Sequence, residues 1–148
     1  MTVRRHTWLF EPATWVAEGR FWERGELERE GRGSSIIRHG SVGWQIEGTM
    51  TILGDPPAEF RNNYKVPVPR AGSRVVPWES HNPALGTLSG TFFIADDAIM
   101  SSFRSGDGKF VGSEQLTYLT ADRYRAHGLF LTEGAIVSAW SMDLVRQE

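Results

Sequence analysis

From Trp44 to Leu53 the chain changes character at every residue. Trp44, Ile46, Gly48, Met50 and Ile52 share one parity; Gln45, Glu47, Thr49 and Thr51 share the other. A period of two puts successive side chains on opposite faces of a strand, one toward a core and one toward water. Gly54, Asp55, Pro56 and Pro57 end the run. The alternation returns over 60–66, then as a regular series over 87–95, 98–104, 110–119, 123–132 and 135–145. Short turn signals separate these last five, among them Asp96-Asp97 and Glu133-Gly134. Strands so closely spaced pair antiparallel with their chain neighbours. Nearer the N-terminus, 15–24 and 26–30 read as an opening strand or bent strand pair, 31–33 as a turn and 34–39 as a short strand. Pro67, Pro69, Pro77 and Pro83 break the rhythm, so 67–87 reads as a long loop with a short strand at 74–78. No segment carries a helical period. The pattern predicts one all-β domain over 1–148, an antiparallel up-and-down β-barrel of about 8–10 strands.

Four of the strand rows carry a glycine on their apolar face: Gly48, Gly90, Gly112 and Gly128. A glycine inside a strand costs about 0.5–1 kcal/mol relative to alanine. Repeated on one face, it signals a bend or the close approach of another group. Parity predicts that all four face the barrel interior.

Composition narrows the class. The chain is 40% hydrophobic and 23% charged with net charge −2, which excludes a disordered chain. It has no cysteine, which excludes disulfides, a thiolate nucleophile and cysteine-bound zinc. Seven of the 14 arginines precede residue 39, but Glu11, Glu18, Glu23, Glu26, Glu28 and Glu30 are interleaved with them. Alternating charge cancels the field that phosphate binding needs, so no nucleic-acid partner is expected. Arg4 and Arg5 are followed by no apolar run, so no signal peptide and no membrane partner is expected, and the expected location is cytoplasmic.

Trp15, Gly19 and Phe21 on an opening strand, followed by an up-and-down run of strands, resemble the calycin group of lipocalins, fatty-acid-binding proteins and related small bacterial barrels. The resemblance implies a barrel that binds a small hydrophobic ligand inside. Its motifs depart from the family pattern. Lipocalins show Gly-x-Trp on the first strand, whereas Trp15 here precedes Gly19. Fatty-acid-binding proteins carry Arg-x-Tyr on the last strand, whereas Arg123-Tyr124-Arg125 lies one strand early. No family binding residue is carried over.

Among chemistry-bearing residues, Glu114 stands out because it shares an inward row with Phe110, Leu116 and Tyr118. A buried carboxylate holds its proton more tightly unless it is paired. Arg104 or Tyr124 is the expected partner. Trp44, Tyr118, Tyr124, Phe130 and Trp140 also fall on inward rows and are expected to wall a pocket. His6, His39, His81 and His127 show no metal-ligand spacing, so no metal and no cofactor is expected. Ser80 is followed directly by His81, which does not make a hydrolase triad. Gly106 to Lys109 lacks the following helix of a phosphate loop. The expected function is non-catalytic binding of a small hydrophobic or aromatic ligand at Trp44, Arg104, Glu114, Tyr118, Tyr124, Phe130 and Trp140. The alternatives are a cofactor-independent isomerase, cyclase or decarboxylase using Glu114, and a packed-core interaction module. The 67–87 loop is expected to cover a barrel mouth or a homo-oligomer contact, with Trp78 sheltered.

Overall fold

The computed structural model describes residues 5–83 and 85–148. Ten strands follow in order: β1 (Ala13–Glu23), β2 (Leu27–His39), β3 (Trp44–Ile52), β4 (Ala58–Val66), β5 (Val75–Asn82), β6 (Gly86–Ile94), β7 (Ala98–Ser105), β8 (Phe110–Thr120), β9 (Arg123–Thr132) and β10 (Ala135–Arg146). Each pairs antiparallel with the next, and β1 also pairs with β10 from Trp15↔Arg146 to Glu23↔Ser138. The sheet is therefore a closed antiparallel barrel. Among the described residues, no helix is long and apolar enough to cross a membrane.

Short connections fix the up-and-down order. Glu133 and Gly134 both have positive φ, 50° and 79°, at the β9–β10 turn. That geometry matches the twist of two hairpin strands. The β4–β5 seam is the shortest, with Asn63, Tyr64 and Lys65 pairing against His81, Ser80 and Glu79. Continuing that register would set Pro67 against Pro77, and neither has an N–H to donate.

Two early elements differ from expectation. Gly31, Arg32 and Gly33 do not turn the chain; they lie mid-strand in a 13-residue β2. The space a side chain would occupy is taken by the Met142 side chain at Gly31, and by the Thr49 carbonyl together with the Met50 side chain at Gly33. The expected long loop shrinks to 67–74, because β5 is a full strand with strict alternation. Its inward Val76, Trp78, Ser80 and Asn82 are all buried, so Trp78 is sheltered in the barrel interior.

The two ends of the barrel differ. At the end where β1 starts and β2 stops, residues 6–10 fold across the opening. His6, Thr7, Trp8 and Leu9 are all buried there. They sit over a packed core that includes Trp15, Ile37, Ile46, Val66, Ile94, Ile99, Leu116 and Tyr124. Leu9 has φ of 75°, a conformation rare for a branched side chain. Complete burial and a hydrogen bond from His39 Nε2 to its carbonyl, 2.8 Å, hold it there. The opposite half is looser. Its inward Gly48, Met50, Asn62, Tyr64, Phe103, Glu114 and Trp140 keep partial accessibility.

Candidate functional site in the open half of the barrel

All four glycines predicted to face inward do so mid-strand, and three owe their identity to a ring. Trp78 on β5 lies over Gly90 on β6, Phe103 on β7 over Gly112 on β8, and Trp140 on β10 over Gly128 on β9. Each glycine is the direct cross-strand partner of the aromatic residue that covers it. A β-carbon at Gly112 would stand 2.6 Å from Phe103 Cζ, and one at Gly128 would stand 2.7 Å from Trp140 Nε1. Both are well inside van der Waals contact, so only a bare backbone lets these rings lie flat on the wall. Gly48 is different: a β-carbon there would meet only backbone oxygens, at 3.8 and 3.9 Å.

One register row carries the site's chemistry. Trp140 pairs with Gly128, Gly128 with Glu114 and Glu114 with Ser101. Because Gly128 has no side chain, the Trp140 indole crosses β9 and donates its Nε1–H to Glu114 Oε2 at 2.7 Å. The adjacent row runs Trp78, Gly90, Phe103, Gly112, Phe130, alternating ring and bare backbone. Phe103 and Phe130 stack with centroids 6.1 Å apart, and Phe110 and Phe130 at 5.2 Å. Trp78 donates to Ser101 Oγ at 3.1 Å and packs on Tyr64 with centroids 4.8 Å apart. Toward the mouth, Asn82 Nδ2 donates to Asn62 Oδ1 at 2.6 Å across the short seam. Ser80 Oγ is fully buried and finds no partner among the described residues.

Burial raises the Glu114 pKa, and the Trp140 hydrogen bond works in the opposite direction. Burial also lifts the Tyr64 phenol far above its ordinary range, with the nearby Glu114 charge adding to it. Among the described residues, Trp140 is the one hydrogen-bond partner of Glu114, so Oε1 is open to the lumen.

The residues expected to wall one pocket divide between the two ends. Glu114, Phe130 and Trp140 come together in the open half. Trp44, Tyr118 and Tyr124 are at the closed end. Trp44 stacks on His39 with centroids 3.7 Å apart and meets Phe10 edge-on. Tyr118 packs edge-on against Tyr124 and His6 and carries the Arg5 guanidinium over its face at 4.4 Å. The Tyr124 hydroxyl lies 2.7 Å from His6 Nδ1 and accepts the Thr7 N–H at 3.2 Å. It therefore anchors the N-terminal segment and is not the partner of Glu114.

Arg104 requires a correction of a different kind. Offered with Tyr124 as a partner of Glu114, it is exposed on the outer wall. In β7 the inward parity belongs to Ile99, Ser101, Phe103 and Ser105, and Arg104 is on the other face. The role falls to Trp140. The sequence signal for that pair was the Trp140–Gly128–Glu114 row, legible only once register is known. Ser80 and His81 point to opposite faces, Ser80 buried and His81 outward beside Glu79 at 3.6 Å. Among the described residues, no group of three or more metal-binding side chains converges. A groove of about 650 Å³ is lined by the outward Phe93, Met100, Ser102 and Leu129 together with Ser101, Glu114, Gly128 and Trp140 of the row that carries the site's chemistry.

Closed antiparallel topology, one plugged end and a lumen lined by aromatic rings define a calycin-like barrel. The chain matches no protein-family model, and no curated protein matches it by sequence. Among solved structures it is similar to an S-type phycobiliprotein lyase, CPES from Guillardia theta. The TM-score is 0.62 at 8% identity, covering 93% of this chain and 89% of that one. A second match, an N-terminal dehydratase from the difficidin assembly line, has 8% identity and a TM-score of 0.26 over 95% of this chain and 79% of that one. The first supports the fold; the second is too distant in shape to carry any argument.

Proposed function

We propose that the protein binds a small apolar or aromatic molecule in the open half of the barrel, without chemistry on it. The observation that carries this reading is the Glu114 row. A carboxylate is held at one oxygen by Trp140, open at the other, and set among flat ring faces in a lumen that the opposite half does not share. Small-molecule sites combine such apolar walls with a few oriented polar groups. Phe103, Phe110, Phe130 and Trp140 supply the wall, and Glu114 with Tyr64 supplies the polar end. The residues of the closed end, Trp44, Tyr118 and Tyr124, serve as the floor and hold the N-terminal plug. The phycobiliprotein lyase contributes a shared shape, and no substrate is taken from it.

A second reading has one observation in its favour. Burial raises both Glu114 and Tyr64, and a carboxyl group with a raised pKa in a lumen is suited to general acid–base work. Native mass spectrometry of freshly purified protein, followed by tryptophan fluorescence titration with any mass released, tests binding. Retention of a small molecule with a change in emission is the expected result. No retained mass, together with no response to a panel of apolar compounds, would refute it. If a substrate is turned over, and Glu114→Gln abolishes turnover while binding persists, the acid–base reading replaces the first.

A further inference from the structure

We propose that the ligand of this lumen carries a protonated nitrogen, as an amine on an aromatic or apolar body, with Glu114 as its counter-ion. This deepens the binding reading above and rests on it.

The first argument is the inventory of donors and acceptors. An ionised carboxylate only accepts hydrogen bonds, and it has room for several. Glu114 receives one, from Trp140, and among the described residues no other side chain donates to it. The missing donors must come from water or from what binds. A ligand ammonium has up to three, and charge assistance makes them the stronger kind.

The second argument is the absence of a competing cation. Arg104 lies outside the barrel. Arg29 faces inward at the mouth, but its Nε stands 3.2 Å from Glu23. His6 and His39 belong to the closed end, bonded to Ala95 and Leu9. Among the described residues, no basic side chain shifts Glu114, whose proton affinity responds to burial and to the Trp140 hydrogen bond. A carboxylate ligand would therefore meet the Glu114 charge, with the Arg29 cation at the mouth already held by Glu23. A purely apolar ligand would strip water from Glu114 and return nothing, which is costly for a buried charge.

The third argument is the wall. The rings of Tyr64, Trp78, Phe103, Phe130 and Trp140 line the same half of the lumen, several lying flat against it. Aromatic faces attract cations, most strongly where water is excluded. An anion gains nothing from them.

The test compares three compounds of one skeleton by isothermal titration calorimetry: 4-phenylbutylamine, 4-phenylbutanol and 4-phenylbutyrate. The amine is expected to bind at least about tenfold more tightly than the alcohol, with the carboxylate weakest. In Glu114→Gln the amine should lose its advantage over the alcohol. A second measurement needs no variant. The amine stays charged as pH is lowered, so its affinity should fall as Glu114 takes up a proton, which it does above the ordinary carboxylate range, while that of the alcohol holds constant. An amine that binds no better than the alcohol, or keeps its advantage in Glu114→Gln, overturns the inference and leaves the binding reading in place. If none of the three binds, both fall together.

Discussion

Replacing Gly128 by alanine isolates the contact on which the site depends. The added methyl group would occupy space held by the Trp140 indole, with Nε1 only 2.7 Å from the new carbon. The ring is not a loose chain end, because its Nε1–H is tied to Glu114 at 2.7 Å. It must rotate off β9, and the hydrogen bond goes with it. Alanine in a strand gains about 0.5–1 kcal/mol over glycine. Overpacking costs about 1–3 kcal/mol. A lost hydrogen bond to a charged group costs about 1.5–3 kcal/mol. The net expectation is a loss of about 1.5–5.5 kcal/mol, or a fall in Tm of about 3–20 °C for a domain of this size. Gly48→Ala is the control, because its new carbon would meet only backbone oxygens at 3.8 and 3.9 Å. It should be neutral or stabilise by up to about 1 kcal/mol. Urea and thermal unfolding followed by circular dichroism measure both, and tryptophan emission reports the displaced indole. Equal effects from the two substitutions, or a neutral Gly128→Ala, would refute the claim that ring packing selects these glycines.

Further expectations follow from the same geometry. Because the folded state raises the Glu114 pKa, it binds this proton more tightly than the unfolded chain, so Glu114 lowers stability as pH rises from the ordinary carboxylate range through its folded pKa. Glu114→Gln should therefore gain stability relative to the parent at pH 7.5 compared with pH 4.5, and a difference that does not change with pH in urea melts would disprove this. His6 has the opposite sign: burial lowers its pKa, so stability is lost as pH falls below the usual histidine range. His6→Gln should flatten that part of the pH–stability curve, and an unchanged slope would place the acid sensitivity elsewhere. Leu9→Ala removes a side chain with no exposure and should cost about 2–5 kcal/mol, read by chemical denaturation. Arg104→Ala, on the outer wall, should alter stability by less than about 0.5 kcal/mol and leave ligand titrations unchanged.

Much of the barrel was already written in the alternation of the chain. A strand exposed on one face must repeat every two residues, so parity alone placed Gly48, Gly90, Gly112, Gly128 and Glu114 inside. The same rule gave the five-strand meander from β6 to β10, because its turns are short and carry their own residues. Parity fails where both faces are polar or where glycine interrupts the rhythm. That is why β2 was divided at Gly31–Gly33: its outward face is arginine and glutamate, and methionines from other strands, with the Thr49 carbonyl, fill its inward gaps. Arg104 was ambiguous for the same reason, since Met100 and Phe103 give both faces of β7 an apolar residue. Other features depended on register and closure, which are properties of pairs of strands. Trp140 reaches Glu114 only because Gly128 stands between them on β9. Trp44, Tyr118 and Tyr124 could be read as inward, but not as belonging to the closed end. That assignment came from residues 6–10 folding back across the opening, a contact between positions more than a hundred residues apart. Local sequence fixes the direction of a side chain along its strand; only the closed sheet decides which distant side chain it meets.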